Sequence, residues 1–149
     1  MYKKYFALIF SMTFIVITTN GQTVGKALIG SWETKQIDTR MHWETNEMWV
    51  FQNAASGLWQ RELIASNNAI SCLLKNPFKW SIAANNQLKM TMGKTECNCK
   101  ASEKKFEKDL DKFIDNLKAV YEGAYFEYKV KIESKNVIYF DKLKLERKE

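Results

Sequence analysis

Apolar and polar residues alternate along much of this chain, and a period of two marks strands with one buried and one wetted face. Residues 31–39 are the first candidate strand. Residues 47–51 are the second, with Trp49 and Phe51 on one face. Gly57 opens the third, over residues 58–64. Asn67-Asn68 reads as a turn, after which Ile70, Cys72 and Leu74 alternate. Asn76-Pro77 is expected to end that strand, because Pro cannot donate to a ladder. Residues 78–82 resume the alternation with Phe78, Trp80 and Ile82 inward. Asn85-Asn86 then turns the chain into residues 88–92, where Leu88, Met90 and Met92 share a face.

The period changes after residue 101. Phe106, Leu110, Phe113, Ile114, Leu117, Val120 and Tyr121 fall within about a 120° arc at 100° per residue, which is one helix stripe. A helix is expected over about residues 102–122, with Ser102 as N-cap and Gly123 ending it. Residues 100–122 carry six Lys and six acids, whereas membrane-surface helices are usually basic. The stripe therefore points to a helix packed on a sheet or closing a barrel end. Strands return at residues 125–132, 137–140 and 143–147. The total is about nine short strands and one inserted helix, with residues 22–29 as a loose lead-in. A parallel sheet would need a crossover between each pair of strands, so the fold is expected to be mainly β and antiparallel, a barrel or a sandwich.

The N-terminus follows a different logic. Met1-Tyr2-Lys3-Lys4 precedes an apolar run over residues 5–17, interrupted by Ser11 and Thr13. A basic start, a short apolar core and small residues before a cut make a secretory signal. Cleavage is expected after Gly21, giving a signal peptide over residues 1–21 and one domain over residues 22–149. The alternative is an uncleaved anchor, but a span needs about 20 apolar residues. The first Cys is Cys72, so no cysteine follows the cut and a lipoprotein is not expected. The protein is expected in the periplasm or outside the cell, with no integral span after cleavage.

Composition narrows the function. The leader's Lys3 and Lys4 account for two of the formal +6 charges, leaving +4. Acids alternate with bases in the remainder, and no Arg-rich stripe for nucleic acid is seen. His42 is the single histidine, which leaves little for His-based catalysis; no catalytic residue, cofactor or metal is expected. Export permits disulfides. Cys72 with Cys97 or Cys99 would close a loop worth about 3 kcal/mol; a Cys97–Cys99 ring would be very tight. Cys97-Asn98-Cys99 with His42 or Cys72 could offer soft ligands to a metal, but lacks the usual zinc spacing.

Several segments resemble lipocalin-type barrels. Leu28-Ile29-Gly30-Ser31-Trp32 is similar to their Gly-x-Trp opening. Met48-Trp49-Val50-Phe51, Gly57-Leu58-Trp59, Lys79-Trp80-Ser81-Ile82 with Asn86-Gln87-Leu88, and Leu143-Lys144-Leu145-Glu146-Arg147 resemble strands of the small exported bacterial lipocalin-like domains. The resemblance implies an up-and-down barrel of about eight or nine strands, with Trp32 packed across a closed end beneath Arg147. It also implies a small hydrophobic ligand, for which Trp49, Phe51, Trp59, Trp80, Met90, Tyr128 and Tyr139 could line an apolar cup. In animal lipocalins the helix follows the eighth strand; here three strands follow it, so the segment reads as a lid or side prop. The alternative function is a filled barrel that meets a protein partner in the cell envelope, as an inhibitor or immunity-type module, with Met41 and Trp43 as candidate patch residues.

Overall fold

The computed structural model describes residues 23–38, 42–53, 55–65 and 69–149. The expected signal peptide, Met41 and the Asn67-Asn68 turn lie outside them. Residues 23–28 form a helical turn, α1. Among the described residues nine strands follow: β1 (Gly30–Asp38), β2 (Trp43–Phe51), β3 (Ser56–Ala65), β4 (Ile70–Ala83), β5 (Gln87–Met92), β6 (Glu96–Ala101), β7 (Tyr125–Ser134), β8 (Val137–Phe140) and β9 (Leu143–Arg147). Helix α2 (Lys104–Tyr121) lies between β6 and β7.

All pairings among these strands are antiparallel. The strand order is β3-β2-β1-β9-β8-β7-β5-β4, and β3 pairs back onto β4. Eight strands thus close into a barrel, which removes the free edges of the wall. β6 is an additional strand that pairs with β4 and ends the sheet. The observed number of strands equals the expected one for a different reason. Residues 70–83, read as two strands, are one, and β6 was not read as a strand.

The uninterrupted β4 corrects the expectation that Asn76-Pro77 breaks it. One edge of β4 pairs with β3. Its other edge pairs with β6 over Ile70–Lys75 and with β5 over Phe78–Ala83. Pro77 falls at the changeover. Its carbonyl accepts from Gly93 N–H at 2.7 Å, so residue 77 presents its backbone to the β5/β6 side. The carbonyl that an N–H at 77 would have met, that of Gly93, accepts from Gly123 N–H at 3.4 Å. The missing donor therefore costs no ladder bond.

α2 lies within the expected span but starts after Glu103, not Ser102, and no side chain caps its N-terminus. Gly123, just past its end, has φ +71°, the left-handed conformation that glycine adopts without strain. The lead-in is also corrected: α1 is helical, and its Leu28 is fully buried. No helix among the described residues is long and apolar enough to cross a membrane.

Candidate functional site

The alternation along each strand sends one set of side chains into the barrel. Trp49 and Phe51 from β2, Trp59 from β3, Phe78 and Trp80 from β4, Met90 from β5 and Phe140 from β8 are all buried. Tyr128 from β7 enters the same layer and is half-buried. The rings interlock edge to face. Phe51 meets Trp80 at 5.1 Å and Phe78 at 5.3 Å between centroids. Trp49 meets Trp59 at 5.7 Å, Phe140 at 5.9 Å and Phe78 at 6.0 Å. Tyr128 stacks on Phe140 at 5.7 Å. These spacings are those of favourable aromatic pairs, so the rings fill this layer of the interior with each other.

Six of the seven expected cup residues therefore face inward. Tyr139 does not. On β8 the buried positions are Ile138 and Phe140, and Tyr139 is on the outer face. There Lys131 Nζ lies 5.7 Å from its ring, and its hydroxyl is 3.5 Å from Glu133 Oε2. The short strand has one parity, and placing Phe140 inward sends Tyr139 out.

The end beside α1 is sealed by polar anchoring of apolar groups. Arg147 Cζ lies 4.4 Å from the Trp32 ring centroid. Its guanidinium donates to Ala27 O at 3.0 Å, Ile29 O at 3.2 Å and Lys135 O at 2.9 Å. Trp32 Nε1 donates to Leu28 O at 2.8 Å. Together the two side chains take up the last carbonyls of α1, where a cation is also favoured by the helix dipole. Gly30 is required there: it has φ +128°, and a Cβ at that position would sit 2.5 Å from Arg147 Nη1.

The opposite end is built differently. Leu63, Cys72 and Leu74 form a second buried cluster, against which Trp43, Phe113, Leu117 and Tyr121 pack. Trp43 stacks on Phe113 at 5.8 Å, so it is a helix contact and not a free patch. Tyr121 of α2 reaches the barrel layer, 4.8 Å from Trp59 between centroids. Polar groups meet at that junction. Glu47 is buried, with Trp59 Nε1 donating to its Oε2 at 3.4 Å and Arg61 Nε 3.3 Å from its Oε1. Arg61 also donates to the Tyr121 hydroxyl. Trp49 Nε1 is buried with no hydrogen-bond partner among the described residues. Burial pushes the Tyr128 hydroxyl pKa up, and the carboxylates of Glu47 and Asp141 push it further.

Glu47 and Arg61 were not singled out in the sequence, and Tyr121 entered only as part of the helix stripe. The signal was parity: Glu47 shares the face of Trp49 and Phe51, and Arg61 that of Gly57 and Trp59. A charged residue in an inward position needs a partner.

The cysteines resolve simply. Cys72 and Cys99 form a disulfide across the β4–β6 pair, at a sequence separation of 27. Cys97 is free and half-buried; burial raises its thiol pKa while Lys118 lowers it. With Cys99 bonded, the Cys97-Asn98-Cys99 metal reading loses one of its two sulfurs. His42 is exposed in the turn before β2. Among the described residues no three His, Cys, Asp or Glu side chains converge to hold a metal.

The architecture, a closed antiparallel eight-stranded barrel with both ends covered, is compatible with a lipocalin-like fold. No protein-family model matches this chain, and no curated protein matches it either.

Proposed function

We propose that this protein is an exported, non-catalytic, lipocalin-like barrel that acts as a binding module through its outer surface. The observation that carries this is the interlocked ring layer. Phe51 and Met90 are 1% exposed, and Trp59, Trp49 and Trp80 are 3–6% exposed. A carrier keeps an apolar cavity for its ligand; here side chains occupy that volume, as eight-stranded barrels allow. The outer wall offers a concave surface of mixed polar and apolar character instead. A groove of about 710 Å³ crosses β9, β1, β2 and β3, lined by Glu33, Lys35, Asn46, Met48, Gln60 and Glu62 among others. Export is supported by the leader and by the Cys72–Cys99 bridge, which persists in oxidising compartments.

A second reading is a carrier loaded from the α2 end. It is favoured by Glu47, Arg61 and the unpartnered Trp49 Nε1, which would orient a small apolar molecule carrying one polar group.

Native mass spectrometry of the protein purified from its own host separates the two. The surface reading expects the bare mass of residues 22–149 less two hydrogen atoms for one disulfide. A reproducible noncovalent adduct, lost in Trp80→Ala with the fold intact, would overturn that reading in favour of the carrier. A mass that retains residues 1–21 would refute cleavage.

A further inference from the structure

Closing the barrel leaves one strand outside the ring. β6 pairs with β4 on one side and ends the sheet. Which of its backbone groups stay unpaired follows from β4. The Pro77 carbonyl points to the β5/β6 side and the Trp80 N–H, bonded to Ala55 O at 3.0 Å, points the other way. Odd residues of β4 therefore face β6. The register is Ser71↔Lys100, Leu73↔Asn98 and Lys75↔Glu96, so Lys100, Asn98 and Glu96 direct their backbone inward to β4. The Cys72↔Cys99 pair agrees: its Cα separation of 4.0 Å is that of a non-hydrogen-bonded pair. Cys97, Cys99 and Ala101 then aim their N–H and C=O groups at the free edge. An open groove of about 430 Å³ adjoins that edge, lined by Lys75, Glu96, Cys97, Asn98, Cys99 and Ile114.

An unpaired edge is a template for another strand. The side chains choose the occupant. Glu96, Asn98 and Lys100 are exposed on the outer face, in the order acid, amide, base. In an antiparallel pair of two such strands about Asn98, each Glu96 lies opposite the second copy's Lys100, and the two Asn98 amides face each other. The backbone accepts this register without adjustment. Cys97 falls opposite the second copy's Cys99, and both present free edge groups, so they exchange hydrogen bonds. Glu96 and Lys100 form non-hydrogen-bonded pairs, where opposite charges sit closest.

We propose that β6 is a homodimerisation edge: two copies pair β6 antiparallel about a two-fold axis through Asn98, held by two Glu96–Lys100 ion pairs. The contact is isologous, so it closes at two copies and does not extend into a filament. Two six-residue strands bury little surface, which places the dimer in the weak class below about 1,200 Å² in total.

The test is sedimentation equilibrium at high protein concentration, with charge variants and cross-linking. Wild type should dimerise reversibly. Glu96→Lys and Lys100→Glu should each weaken self-association by roughly tenfold, and an equimolar mixture of the two should form a heterodimer of wild-type strength. Wild type that stays monomeric, or single variants that dimerise as well as wild type, overturns the proposal. Asn98→Cys in a Cys97→Ala background supplies an independent readout that does not depend on affinity. Mild oxidation should link it to itself across the axis, whereas Glu96→Cys in the same background should not link. Equal linking at both positions means random collision and overturns the register.

Discussion

At the α1 end, Leu28, Trp32, Phe51, Ile138 and Leu145 are at most 1% exposed. Arg147 and Trp32 satisfy the carbonyls of Ala27, Leu28 and Ile29 there. At the α2 end, no residue of the helix is fully buried. Contact there rests on the small buried cluster of Leu63, Cys72 and Leu74, on half-buried rings, on a Glu47–Arg61–Tyr121 network and on a disulfide between β4 and β6. One end is held by the volume of apolar surface removed from water. The other has less of that surface and adds a covalent tie and charge-assisted hydrogen bonds. The ends should then differ in local opening: regions with few buried apolar contacts open at lower free energy than the core.

Paired truncations give the largest expected effect. Phe51→Ala should cost about 4 kcal/mol, because a fully buried ring leaves a cavity that its neighbours cannot fill. Phe113→Ala, a half-buried ring stacked on Trp43, should cost about 1–2 kcal/mol. Urea unfolding followed by tryptophan fluorescence measures both. Equal losses would erase the contrast between the ends.

That contrast was only partly legible in the sequence. The ring layer was most readable where a strand alternates cleanly: Phe78, Trp80 and Ile82 leave no choice of face, whereas the apolar run Val137-Ile138-Tyr139-Phe140 does not show its parity. The Trp32–Arg147 seal was accessible through resemblance, and Gly30 has a physical reason to precede Ser31-Trp32, since the guanidinium occupies the space of a Cβ. The α2 end was harder to see. β6 reads Glu-Cys-Asn-Cys-Lys-Ala, with no large apolar residue to set a period, and it becomes a strand through tertiary pairing with β4 and the disulfide. Pro77 signalled a break because the rule is local, whereas the exchange of β5 for β6 as partner is not. Tyr139 went wrong by one residue, which on a strand is a change of face. α1 has too few residues to show a helical period, and its order comes from the carbonyl clamp at its end.

Removing the disulfide sharpens the comparison next. Cys72→Ala with Cys99→Ala should cost about 3 kcal/mol for a loop of this length. The loss should be uneven. Hydrogen exchange should accelerate most in β6 and α2, which depend on that tie, while β1, β8 and β9 keep most of their protection relative to the global value. Uniform acceleration across all strands would mean that the α2 end opens only by global unfolding, and that the two ends are one cooperative unit.

The smallest effect concerns Tyr128, where the ring layer meets the polar network. Its pKa is raised above the usual value near 10, first by burial and then by Glu47 and Asp141. The folded state thus prefers the neutral phenol more than the unfolded state does. The stability this contributes is fully present below about pH 10 and is lost as pH rises through the raised folded value. Tyr128→Phe should therefore match wild type near neutrality to within about 1 kcal/mol and lose less stability above pH 10. Cys97, whose pKa burial also raises, gives a slope of the same sign from lower pH, so the comparison is made in a Cys97→Ala background. Parallel stability curves for the two proteins from pH 8 to pH 11 would show that the Tyr128 hydroxyl is solvated in the folded protein, and would move the boundary between the dry and polar ends inward, to the ring layer itself.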